Sequence, residues 1–133
     1  MKLQQSTLLG LYATLELAKS QDSQRSAADI AEKFDVSINH LAKVLRILVK
    51  AGLLQAVRGA GGGYRFSGNA KRTTLMDVIE LFEPVSIEGF EHRDSPHHTD
   101  VEAGLAVALT EISEMMQATL RSITIRTMLK IME

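Results

Sequence analysis

A mainly α-helical fold with one small β-hairpin is what this sequence predicts. Three observations predict it: two short capped helical segments about three residues apart, a glycine-rich tip between two strand-like runs, and an apolar helical periodicity that continues for more than 25 residues toward the C terminus. A chain of 133 residues with 45% hydrophobic content has room for one modest core and an appendage, not for two enzyme-type domains.

The first helix is expected from about Gln4 to Ser20, where Leu8, Leu11, Tyr12, Leu15, Leu17 and Ala18 recur at helical spacing before the polar run QDSQ. Ser26 then precedes AADIAEKF. Its hydroxyl can cap a short second helix, with Asp29 three residues on as capping-box partner and Ile30, Ala31 and Phe34 as the inner face. Ser37 caps a third segment, INHLAKVLRILVKAG, with Leu41, Val44, Leu45 and Leu48 on one face and Gly52 as its stop. Two capped helices in this succession form a helix-turn-helix.

The runs LLQAV and YRF flank RGAGGG, whose glycines can take the positive φ angles of a hairpin tip, so a β-hairpin or wing follows the third helix. Thr74 can cap LMDVIELFE, a helix that Pro84 stops and that faces the core through Leu75, Val78, Ile79 and Phe82. Residues 1–84 thus make a winged helix-turn-helix domain, and residues 85–101, mixed and aperiodic, make a loop. Residues 102–133 make one long helix. Leu105, Leu109, Ile112, Met116, Leu120 and Ile123 recur along it every three or four residues, and the pattern continues toward Leu129. Such a stripe must be covered, and the same stripe of a second copy covers it symmetrically, so these six residues are the expected dimer contacts; the alternative is an intramolecular clamp over the first helix.

The net charge of −1 hides an asymmetry. Residues 1–72 carry 11 Lys or Arg against 5 acids, residues 73–133 carry 4 against 11, and the stretch from Val36 to Met76 holds seven basic residues and no acid. That is the distribution of a face that approaches a polyanion, whereas a merely solvated surface would interleave acids.

In a helix-turn-helix the second helix enters the major groove with its N-terminal residues at the base edges. Ser37, Asn39, His40, Lys43, Arg46 and Lys50 therefore form the expected contact set: Asn39 can pair with adenine, His40 and Lys43 can reach base acceptors or phosphates, and Arg46 and Lys50 suit phosphate one turn on. On the wing, Arg58 can enter a minor groove or grip phosphate. Gly59 and Gly61 allow close backbone approach around it, and Tyr64 and Arg65 complete the set on the second strand. The tip RGAGGGY lacks the Lys-Ser or Lys-Thr ending of a P-loop, which argues against nucleotide binding.

Other functions lose ground on composition. With no cysteine there are no disulfides, thiolate metal sites or cysteine nucleophiles. Neither a serine elbow nor a helix-borne HExxH occurs, the pair Glu80 and Glu83 reads as decoration of an outer helix face, and the six methionines read as core filler, so no enzyme is expected. No apolar run is long enough for a membrane span and MKLQQSTLL lacks signal-peptide architecture, so a cytoplasmic protein is expected.

Taken in order, ADIAEKFDVS, HLAKVLRILVKAGLL, VRGAGGGYRF, TLMDVIELFEP and the terminal SITIRTML resemble the Rrf2 family of winged-helix regulators over nearly the whole chain. The resemblance implies a dimer built through the long helix, repression or activation of genes, and DNA contacts at Ser37, Asn39, His40 and Arg58. His40 stands where relatives often carry an aromatic residue, and Ala42 where they carry an acid. Many members hold an iron–sulfur cluster through three cysteines in the loop before the long helix. Here His92 and His98 resemble the first two in spacing, Gly104 takes the place of the third, and Leu8 stands where an N-terminal acidic ligand would be wanted. No cysteine-ligated cluster is expected. His92, His97 and His98, near Glu91, Asp94 and Asp100, offer a divalent-metal site as one alternative; a solvated loop and a pH-sensitive switch are the others.

The function expected is a sequence-specific DNA-binding regulator, a homodimeric repressor without a cysteine-ligated cluster. Its partners would be double-stranded DNA, a second copy of itself, and a regulatory protein or small effector, with no membrane. The rival is a winged-helix protein-interaction module that has lost DNA binding.

Overall fold

The computed structural model describes residues 2–87 and 99–133. Six helices and one hairpin follow in the order α1 (Gln5–Ala18), α2 (Ala27–Phe34), α3 (Ile38–Lys50), β1 (Leu54–Val57), β2 (Gly63–Phe66), α4 (Leu75–Ile79), α5 (Asp100–Ser122) and α6 (Ile125–Ile131). The mainly α architecture with a two-stranded antiparallel hairpin and a long C-terminal helix is the one the sequence predicts.

Local hydrogen bonding sets most of the boundaries. Ser26 accepts the Asp29 amide at 3.0 Å and Ser37 accepts the His40 amide at 3.3 Å, each satisfying one of the orphan N–H groups of a first helical turn. The reciprocal half of a capping box forms at Thr74 and Asp77 but not at Ser26. Between α2 and α3 the chain turns at Asp35, a non-glycine residue at φ 52°, a conformation whose cost a short polar side chain tolerates best. α3 ends when the Leu53 amide reaches back to the Leu48 carbonyl and the Gly52 amide to that of Val49.

The core lies around α1. Leu9, Ala13, Leu17 and Ala18 from α1, Ile30 and Ala31 from α2, Leu41, Val44, Leu45 and Leu48 from α3, and Leu54 and Phe66 from the hairpin pack into one cluster. Gly10 of α1 lies against the Phe82 ring, so closely that a β-carbon there would collide with it. α4 is shorter than predicted. Beyond Ile79 the amides of Leu81 and Phe82 bond three residues back, a tightened last turn that precedes Pro84.

Two further expectations are corrected. Glu83 does not decorate an outer face: it is buried, and its carboxylate accepts the Gln4 amide at 2.7 Å and the Thr7 hydroxyl. It thereby supplies the anion that Gln4, whose side chain forms no cap, leaves missing at the N-terminus of α1. The long C-terminal helix is not continuous either. It stops at Ser122, Ile123 is extended (φ −102°, ψ 108°), and Thr124 caps a separate helix by accepting the Thr127 amide at 3.1 Å.

Ile123 therefore leaves the stripe. Its carbonyl accepts the Leu75 amide at 2.9 Å, while the Ile125 and Arg126 amides bond the Thr73 and Ala70 carbonyls, so the break is stitched to the segment before α4. Ile125 is fully buried in the main core, where such a side chain contributes roughly 2 kcal/mol, and α6 packs on α1. That energy offsets the lost helical bonds at the break.

Candidate nucleic-acid interface

α3 divides cleanly into two faces. Leu41, Val44, Leu45 and Leu48 are buried, whereas Asn39, Lys43, Arg46 and Lys50, spaced four, three and four residues apart, form one exposed row on the opposite side. Ser37 is exposed at the head of that row. Ile38, which the sequence reading left out, is 48% exposed beside it in the first helical turn.

The wing stands next in the chain. β1 and β2 pair in the register Leu54↔Phe66 to Val57↔Gly63, which leaves Arg58 to Gly62 as the tip. Gly59 and Gly61 have φ of 98° and 75°, where any other side chain is strained, and Arg58 points from this tip as an exposed cation. Arg65 is exposed but engaged: its Nε and one Nη donate to Gln55 Oε1 at 3.0 and 2.8 Å across the hairpin.

Two predicted contact residues face inward. The His40 ring is half-buried, with its Nε2 3.0 Å from the Ser6 hydroxyl of α1, and the half-buried Tyr64 packs against the core. Tyr64 also exchanges both backbone hydrogen bonds with Arg25, at 3.0 and 2.8 Å, an isolated antiparallel bridge that ties the segment before α2 to the hairpin. The Gln24 side chain donates to the Gly61 carbonyl at the tip. Gly63 lies against the Arg25 carbonyl group, in space that a β-carbon would fill.

Two groups of cations differ in what they meet. Among the described residues Lys43, Arg46, Lys50 and Arg58 form no ion pair, which leaves their charge available to a ligand. Lys19, Arg25 and Lys33 instead converge on Glu16, whose side chain is 5% exposed, at 3.6, 3.9 and 2.7 Å. Burial alone would raise the Glu16 carboxyl, but the Lys33 hydrogen bond and the charges of Lys19, Lys33 and Arg25 outweigh it and hold the group below its ordinary value. The Lys33 ammonium is raised in turn, chiefly by its hydrogen bond to Glu16.

A half-exposed helix with an open polar row, a helix crossing behind it and a cationic hairpin beside it define a winged helix-turn-helix DNA-binding protein. Comparison with known proteins makes the assignment specific. The model of the Rrf2 family, described as "Iron-dependent Transcriptional regulator", matches residues 3–131. The HTH-type transcriptional regulator BadM of Rhodopseudomonas palustris is 52% identical over all 133 residues, which span 84% of its length. Among solved structures, IscR of T. potens superposes with a TM-score of 0.79 at 27% identity, over 100% of this chain and 89% of that one. CymR of B. subtilis, described as the global cysteine regulator, superposes with a TM-score of 0.81 at 26% identity, over 98% of both chains. The chain belongs to the Rrf2 family: it is a DNA-binding transcriptional regulator, not an enzyme.

The family's description raises the matter of iron, and the donor set answers part of it. With no cysteine in the chain there is no thiolate to hold an iron–sulfur cluster of the three-cysteine kind described above for many family members. Among the described residues no three His, Asp or Glu side chains come together as a metal site. His92, His97 and His98 lie outside the described residues.

Proposed function

We propose that this protein is a homodimeric repressor that reads two half-sites of a pseudo-palindrome, spaced by about one helical turn of DNA, roughly 34 Å, or a multiple of it. The observation that carries this reading is the unpaired, exposed row Asn39, Lys43, Arg46 and Lys50 on α3, with Arg58 beside it and every acid of residues 36–76 absent. Ser37 and Asn39 meet base edges, Lys43, Arg46 and Lys50 meet phosphates, and Arg58 enters the adjacent minor groove or its phosphate rim. Ile38 sits where an apolar side chain can meet a thymine methyl group. His40 and Tyr64 act from behind, by holding α3 and β2 to α1 and the core.

The second copy is read from α5. Val101, Leu105 and Met115 are 74%, 56% and 68% exposed, Ile112 is nearly half exposed, and Ile112, Met115, Met116, Thr119 and Leu120 line an open apolar groove. A soluble helix keeps such a face only against a partner, and an isologous pairing of two α5 helices covers it while setting the recognition helices in two-fold relation. Leu105, Leu109 and Ile112 are the contacts nearest the open end of the helix, and Met116 and Leu120 share themselves between the dimer and Met76, Ile79 and Val85 below. A dimer lying across a promoter excludes polymerase by overlap, and on that ground we assign repression.

The test is fluorescence anisotropy of purified protein against duplex from its own upstream intergenic region and against scrambled duplex, at two salt concentrations. Selective binding that weakens steeply with salt is the expected result, because neutralised phosphates release counterions. A folded, dimeric protein that binds neither duplex at low salt overturns the reading.

A further inference from the structure

The wing has little to hold it in place by itself. Two four-residue strands with a glycine tip form a marginal hairpin in water, and only its base, Leu54 and Phe66, is buried in the core. Its outer strand is instead pinned by the segment between α1 and α2, through the Arg25 and Tyr64 backbone pair, the Gln24 bond to Gly61 and the close seat of Gly63 against Arg25. That segment is irregular. Arg25 at its end keeps a half-exposed side chain, and the group that side chain meets, 3.9 Å from its Nε, is the buried carboxylate of Glu16.

One lysine would satisfy a buried carboxylate. Here three cations arrive from three places, the C-terminal end of α1, the connecting segment and α2, and their meeting point fixes these parts relative to one another. We propose that Glu16 is a positioning residue for DNA binding: by tethering Arg25 it fixes the edge on which β2 rests, and so the place of Arg58 in the groove. The proposal rests on the wing being a DNA contact. Glu16 touches no DNA itself.

A double-mutant cycle separates this role from a general loss of stability. E16Q keeps an acceptor for Lys33 but removes the charge that draws Arg25, and should weaken binding to the upstream duplex by about threefold to tenfold, in the lower part of the range for coupled neighbours in one network. In an Arg58→Ala background the same change should cost under about twofold, since a wing without its cation has nothing left to misplace. Arg25→Ala, a largely exposed change that leaves the core intact, should repeat the pattern and guards against E16Q failing to fold. Hydrogen exchange adds a readout independent of DNA: the Tyr64 amide, bonded to the Arg25 carbonyl, should exchange faster in E16Q while the Leu45 amide of α3 does not. Equal losses in both backgrounds, or unchanged Tyr64 exchange, overturn the proposal. If Arg58→Ala alone leaves DNA affinity intact, the wing reading fails instead, and Tyr64 exchange still decides whether Glu16 positions the wing.

Discussion

α1 buries eight of its 14 residues, whereas α5, with 23, buries only Ser113. Both helices carry apolar side chains at helical spacing, so the difference lies in what surrounds them. α1 is enclosed by α3, α4, the hairpin and α6. Among the described residues α5 is covered over its C-terminal half, where Met116 and Leu120 pack on Met76, Ile79 and Val85, and where the Val85 carbonyl accepts the Gln117 side chain at 2.8 Å and the Ser113 hydroxyl accepts the Ile87 amide at 3.2 Å. Most of a helix's stability in water comes from tertiary burial of its apolar face. The contrast therefore teaches that one helix is completed within the chain, while the other keeps its apolar face open.

The sharpest way to break that contrast is to charge the open helix. Leu105→Glu with Ile112→Glu should turn a dimer into a monomer in sedimentation experiments and lower operator affinity by more than about 100-fold, because two half-sites no longer bind as one. Thermal stability of the remaining fold should change little. If the double variant stays dimeric and binds DNA normally, α5 is not the interface.

Gly10→Ala probes the enclosed helix in the opposite sense. The added methyl meets the Phe82 ring, an overpacking that should lower unfolding free energy by about 1–3 kcal/mol in denaturant titrations while leaving the oligomeric state unchanged. An unaltered stability would mean that α1 is less tightly enclosed than its burial implies.

Within the enclosed half, the DNA face can be tested residue by residue. Arg58→Ala should weaken operator binding about tenfold and reduce the salt slope by about one without unfolding the protein, as removal of one phosphate or groove cation does. Replacing single thymines by deoxyuridine should cost about threefold at one position per half-site, and Ile38→Ala should abolish that sensitivity if Ile38 meets the methyl group.

The smallest effect concerns acid. Because the Glu16 carboxyl is depressed on folding, its ion-pair contribution is fully present above its unfolded value near 4.5 and is lost as pH falls through the lower folded value. The Tm gap between wild type and E16Q should therefore be constant near neutral pH and close as pH falls through the lowered folded value. A gap that persists in acid would assign the stabilisation to packing of the side chain rather than to its charge.

Much of this molecule is legible in one dimension because the interactions that define it are local. Ser26, Ser37 and Thr74 announce helix starts, since each caps an amide three residues away, and Gly52 announces a stop for the same reason. The acid-free stretch from residue 36 to residue 76 is likewise legible as a cationic face, because charge placement needs no knowledge of packing. Thr124 carried a signal that could have revealed the end of α5: a capping residue in the middle of an apolar run. The spacing of Met116, Leu120 and Ile123, continued toward Leu129, masked it, since apolar residues recur whether the chain runs straight or turns back.

Glu83 was illegible for a different reason. Its partners Gln4 and Thr7 lie 79 and 76 residues away in the chain, and no local pattern distinguishes a carboxylate that caps a distant helix from one that faces water. His40 and Tyr64 lie in the predicted elements but are half-buried, His40 beside the Ser6 hydroxyl and Tyr64 against the core, contacts that only the folded chain brings together. The sequence by itself determined the order of elements, their caps, the cationic face and the absence of thiolate chemistry, all set by neighbours within a few residues or by composition. Only the tertiary structure decided which apolar face stays open, which acids are buried and what holds the wing, since each of those depends on groups that meet only when the chain has folded.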